Sequence, residues 1–189
     1  QEPVIVQQQP VQPQDTQKDF MAEVKLLKGP GVERNDTLAE AGRKILRYQF
    51  GQMLLNENDT RLGEDIEALH DMRVATRRMR AALDIFAEAF TNKTTKNLLK
   101  GLRLTARRLG RVRDQDVFID NARQYLLTLA EDYRTGLDPL ISSWEEARQG
   151  FRQNMLTHLD SKNYRQFKED FMEFVNTPGA GTRIQVDGL

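Results

Sequence analysis

The sequence has no cysteine, one tryptophan and two histidines. Without cysteine there is no disulfide and no thiolate metal site, which suits a reducing compartment. A metal phosphohydrolase of the His-Asp type draws several ligands from different helices. Here the pair His70–Asp71 stands alone, and the second histidine, His158, lies far along the chain. No stretch approaches the roughly 20 apolar residues that span a bilayer. No basic start followed by an apolar stretch and a small-residue cleavage site is present. There is also no Gly-rich phosphate loop and no nucleophile–base arrangement. These absences point to a binding protein in the cytoplasm, with no catalytic residue, no metal, no cofactor and no membrane contact.

Net charge is absent too, but only on average. Between His70 and Arg113 there are twelve Lys/Arg against three acids (Asp71, Asp84 and Glu88), which is +9. The whole chain holds 28 bases and 28 acids, so the remainder carries −9. Such asymmetry implies an anionic partner.

Residues 1–33 form a Gln/Pro-rich segment and a "GPG" turn, with "QEPVIVQQQPVQPQDTQKD" reading as a flexible linker. From 34 to 178 the pattern is helical, with no alternating strand pattern. A cap at Asn35 or Asp36 opens a helix to about Asn56, and "NENDTRLG" reads as a loop. Further helices are expected over about 65–90, 96–111, 116–133, 138–159 and 164–175, with breaks at "TNKTT", "RDQD" and "TGLDP". Residues 179–189 form an irregular tail. The expected fold class is all-α, an antiparallel bundle of about four to six helices.

In the 65–90 helix, Leu69, Met72, Thr76, Met79, Leu83, Phe86 and Phe90 follow 3-4 spacing and form a core stripe. His70, Arg73, Arg77 and Arg80 repeat that spacing one residue on, about 100° around the helix, and Arg78 falls outside the row. In the next helix Leu99, Leu102, Ala106 and Leu109 are apolar, while Lys96, Lys100, Arg103, Arg107 and Arg111 form a second basic row. Two such helices joined by a short loop pack antiparallel, and their basic rows border a shared groove at favourable packing angles. Like charges three or four apart cost about 0.2–0.5 kcal/mol per pair. A row without interleaved acids makes sense when a multivalent anion neutralises it.

Arginine suits phosphate because its planar fork donates two hydrogen bonds at once. Bases of a single strand would call for aromatic platforms, and neither basic row contains one. Duplex DNA would call for Asn or Gln readers among the arginines, which are also missing. A long phosphate polymer without bases fits these residues best, with nucleic acid as the alternative.

The stretches "HDMRVATRRMRAALDIF" and "LLKGLRLTARRLGRVRDQDV" closely resemble the CHAD domain, the conserved histidine α-helical domain. "DTLAEAGRKILRYQFGQML", "GEDIEALH" and "LDSKNYRQFKEDFMEFVNTP" extend the resemblance over about residues 34–178. It implies a helical domain of two similar four-helix halves around a basic groove that binds inorganic polyphosphate, with a triphosphate-hydrolysing domain upstream in some relatives. Association with polyphosphate granules follows from the same resemblance. Carried over, the phosphate contacts would be His70, Arg73, Arg77, Arg80, Lys100, Arg103 and Arg107. Arg78, Lys96, Arg108 and Arg111 are weaker candidates. Arg113 is expected with Asp114 and Asp116 in a structural salt-bridge cluster. Nothing after residue 120 resembles the second basic helix of the family, so the chain looks like half a domain. Two outcomes stay open: a homodimer with facing basic rows, or a piece of a longer chain, which a start at Gln1 rather than Met also suggests.

Overall fold

In a computed structural model of the protein, residues 13–183 are described. Among them there are seven α-helices and no strand: α1 Pro13–Leu26, α2 Leu38–Leu55, α3 Glu57–Leu62, α4 Ile66–Ile85, α5 Asn92–Leu127, α6 Asp138–Leu159 and α7 Lys162–Asn176. A 3-10 helix over Glu131–Leu137 joins α5 to α6. The all-α bundle expected from the periodicity is therefore present.

Helix starts follow side-chain chemistry. Thr37, not Asn35 or Asp36, caps α2, its hydroxyl accepting from the Glu40 N–H at 3.2 Å. Asp36 instead accepts the Glu33 N–H at 2.7 Å and pairs with Lys44 at 2.8 Å. These contacts hold its carboxyl below the usual range, the backbone N–H first and Lys44 second. Asp65 caps α4 and Ser161 caps α7.

The expected break at "TNKTT" falls earlier, over residues 86–91, since α4 ends at Ile85 and α5 opens at Asn92. Three further expectations change. Residues 13–26 fall in the supposed linker segment, yet they form α1, with Phe20 and Val24 buried against α2. Gly51 permits the approach, since a Cβ there would stand 2.2 Å from Val24. Residues 1–12 of that segment lie outside the described residues. "NENDTRLG" contains α3, which ends at Gly63 in a left-handed conformation (φ 75°). Arg152 donates to the carbonyls of Thr60, Arg61 and Leu62 there, satisfying the helix end.

The third change matters most. "RDQD" does not break the chain, and α5 runs unbroken for 36 residues, about 54 Å at 1.5 Å per residue. The quartet lacks Gly and Pro, and its acids point to neighbouring helices. Asp116 pairs with Arg148 of α6, while Asp114 lies 3.8 Å from Arg73 of α4.

The core lies among α2, α4, α5 and α7, with α1 closing one side. Phe50 stacks on Phe171 at 4.7 Å between ring centroids, and Phe90 meets Phe174 edge-on at 5.3 Å. Each fully buried phenylalanine contributes about 1.5–3 kcal/mol. Leu69, Met72, Thr76, Met79 and Leu83 of α4 are buried as the spacing predicts. Phe86 and Phe90 fall in the turn after α4. Residues 179–183 of the expected tail are non-helical and strap that turn. Thr91 N–H donates to Gly181 O at 2.8 Å, and Arg183 N–H to Ala89 O at 2.9 Å. The remainder of the tail lies outside the described residues.

Candidate anion-binding cleft

Helices α4 and α5 meet at their apolar sides, and beside that seam opens a cleft of about 320 Å³. Arg73, Thr76, Arg77 and Arg80 line it from α4, and Arg103, Ala106 and Arg107 from α5. Five of the seven residues carried over from the resemblance thus share one cavity. Arg77, Arg80, Arg103 and Arg107 are exposed. None of the four has a carboxylate within 4.0 Å among the described residues. Arg73 is more enclosed and leans toward Asp114.

The small residues make the cavity. Thr76 is fully buried, and its hydroxyl donates to the Arg73 carbonyl at 2.8 Å, so it presents a methyl-sized wall. Ala106 belongs to the apolar stripe by spacing, yet it is only half-buried and lines the cleft. The buried line of α5 is instead Leu98, Leu102, Thr105, Leu109 and Val112. Helix α5 packs against α4, α6 and α7. Its buried face is therefore broader than one stripe and is rotated toward α6 and α7.

The remaining predicted residues are placed as follows. His70 does not line the cavity; it lies one turn from Arg73 toward the start of α4, half-buried, and its Nδ1 is shielded without a hydrogen-bond partner among the described residues. Lys100 and Lys96 are exposed and prolong the α5 row past Arg103, outside the cavity lining. Arg78 is exposed on another side of α4. Arg111 turns to α6, its guanidinium 5.5 Å from the Phe151 ring centre. Arg108 is half-buried near His158. The His158 ring nitrogen lies 3.0 Å from the Thr105 hydroxyl. Burial first, then the Arg108 charge, hold its pKa below 6.5.

The expected cluster of Arg113, Asp114 and Asp116 is not formed as such, because the two acids pair with Arg73 and Arg148 on different helices. Sequence reasoning missed Thr76, Ala106 and Asp114. The signal for Asp114 was available: it continues the Arg103–Arg107 line once α5 is read as one helix.

Among the described residues, no group of three or more His, Asp or Glu side chains is placed to hold a metal ion, and no helix is long and apolar enough to cross a membrane. No curated protein matches the chain. The sequence model of the CHAD domain family matches residues 44–187, beginning and ending later than the quoted motifs. CHAD domains are binding-type domains associated with polyphosphate. With that match spanning most of its length, this chain belongs to the CHAD domain family.

Proposed function

We propose that the protein binds inorganic polyphosphate in the cleft between α4 and α5. One observation carries this reading: four arginines from two helices converge on one cavity with no carboxylate partner among the described residues. Each guanidinium offers five donors in a planar fork that matches phosphate oxygens. Their mutual repulsion is offset when a chain of phosphates lies between the rows. The α4 arginines span about 10 Å from Arg73 to Arg80, and the α5 row about 16 Å from Lys96 to Arg107, at 1.5 Å per residue. A polymer rather than a single phosphate matches that footprint. Arg73, Arg77, Arg80, Arg103 and Arg107 would hold it, with His70 and Lys100 at the two ends.

The lining also argues against nucleic acid. No aromatic residue lines the cavity. Phe118 and Tyr125 lie exposed farther along α5, but the stretch from Asp114 to Asp132 holds five acids against one base, Arg123, a balance that disfavours phosphate. The protein acts by binding, and association with polyphosphate granules would follow from the ligand. Two copies facing each other across their clefts would enclose one polymer, and polyphosphate would then favour the dimer in sedimentation.

The test is a titration of polyphosphate against single- and double-stranded DNA at equal phosphate concentration. Polyphosphate should bind more tightly, and the affinity should fall linearly on a log–log plot against salt as counterions are released. Equal affinity for DNA would overturn the preference.

A further inference from the structure

Both basic rows end in an acid. On α4 the line His70, Arg73, Arg77, Arg80 continues at the same spacing to Asp84. On α5 the line Lys96, Lys100, Arg103, Arg107 continues through Gly110 to Asp114. The helices run antiparallel, so the two acids stand at opposite mouths of the cleft. They are otherwise alike in being exposed carboxylates on the ligand side of their helices.

They differ in one contact. The Arg73 guanidinium lies 3.8 Å from Asp114, with the two side chains 37% and 59% exposed. Arg73 crosses α5 at Gly110: its Nε passes 3.5 Å from where a Cβ of residue 110 would stand, an ordinary contact distance. Asp84 has no basic side chain within 4.0 Å among the described residues.

We propose that Asp114 is an internal competitor of the ligand, an affinity- and specificity-setting residue that holds Arg73 while the cleft is empty. The inference rests on the polyphosphate reading. When a phosphate takes Arg73, Asp114 loses its partner and recruits a cation from solution. One of the counterions released by the polymer is thereby offset. Binding in this protein is then an exchange at Arg73 and a simple addition at the other four arginines. A ligand that reaches Arg73 alone gains little from displacing Asp114, whereas one that spans the cleft gains the rest of the row.

The experiment compares wild type, Asp114→Asn, Asp84→Asn and Arg73→Ala, binding long-chain polyphosphate over a series of salt concentrations. Asp114→Asn should tighten binding about two- to five-fold, the range expected for releasing an exposed ion pair. It should also steepen the log–log salt slope by roughly one, for the cation no longer taken up. Asp84→Asn removes the same charge from the same face and should leave the slope unchanged. In an Arg73→Ala background, Asp114→Asn should lose its effect on the slope. Parallel slopes for Asp114→Asn and wild type, or an equal shift from Asp84→Asn, overturn the inference while leaving the polyphosphate reading intact. A wild-type protein that does not hold polyphosphate overturns both.

Discussion

Two groups of cations in this molecule use the same residue types in opposite ways. On α2, Arg43, Lys44 and Arg47 meet α1, the segment before α2, the end of α7 and the strap that follows it. Arg43 is 2% exposed and donates to Phe174 O at 3.1 Å, Ala180 O at 3.0 Å and Thr182 Oγ1 at 3.3 Å. Its guanidinium also lies over the Phe90 and Phe174 rings. Lys44 pairs with Asp36, and Arg47 with Glu23 and Asn176. A cavity lies beside these residues too, but its cations are already engaged. In the α4–α5 cleft, Arg77, Arg80, Arg103 and Arg107 have no carboxylate partner among the described residues. The difference separates cations that hold the fold from cations left available to a ligand. Charge count alone cannot make that distinction; the donors' partners can.

The largest effect that sharpens the contrast belongs to the cleft. Arg73→Ala together with Arg77→Ala should lower polyphosphate affinity about tenfold to a hundredfold, since a charge-assisted hydrogen bond contributes about 1.5–3 kcal/mol at Arg77 and less at Arg73, where Asp114 competes. Helical content by circular dichroism should stay at the wild-type level, because neither side chain is in the core.

Arg43→Ala should show the reverse profile. It strands the carbonyls of Phe174 and Ala180, at a cost of about 1–3 kcal/mol for each group left buried and unpaired. Denaturant unfolding should report a loss of about 2–4 kcal/mol in stability. If Arg43→Ala abolishes binding without loss of stability, the division between the two groups fails.

A smaller effect concerns pH. Burial first, and then the Arg108 charge, lower the His158 pKa in the folded state. The folded chain therefore binds fewer protons at this site than the unfolded chain. That contribution is present above about pH 6.5, the ordinary histidine value, and is lost as pH falls through the depressed pKa. Thermal melts between pH 7.5 and 5 should show declining stability, and His158→Gln should flatten the decline.

The smallest effect is expected at Arg78. Arg78→Ala should change stability by less than about 0.5 kcal/mol and polyphosphate affinity by less than about threefold, a change of roughly 0.65 kcal/mol. An effect as large as that of Arg77→Ala would show that both sides of α4 meet the ligand.

Much of this was legible in the sequence because 3-4 spacing records which residues share a helix face. The α4 row could be read directly, since a single helix with one main core face keeps its phase. The α5 row could be read only in part. Three packing partners widen its buried face, so Thr105 rather than Ala106 goes inside and Ala106 is released to the cleft. Over 36 residues the 3-4 register also drifts, and Arg111 is drawn to Phe151 rather than to the arginines. Helix α1 was hidden by its composition. Gln and Pro suggest a linker, whereas Phe20 and Val24, four residues apart, are packed against α2, and Arg47 lies over the Phe20 ring at 5.0 Å. Those contacts are tertiary, and local propensity does not report them.

The most direct test is a crystal structure of the protein with a short-chain polyphosphate bound. The account predicts phosphates lying between α4 and α5 within hydrogen-bond distance of Arg77, Arg80, Arg103 and Arg107, with Arg73 moved off Asp114. Phosphates seated instead on Arg43 and Arg47, or an unaltered cleft under saturating ligand, would contradict it.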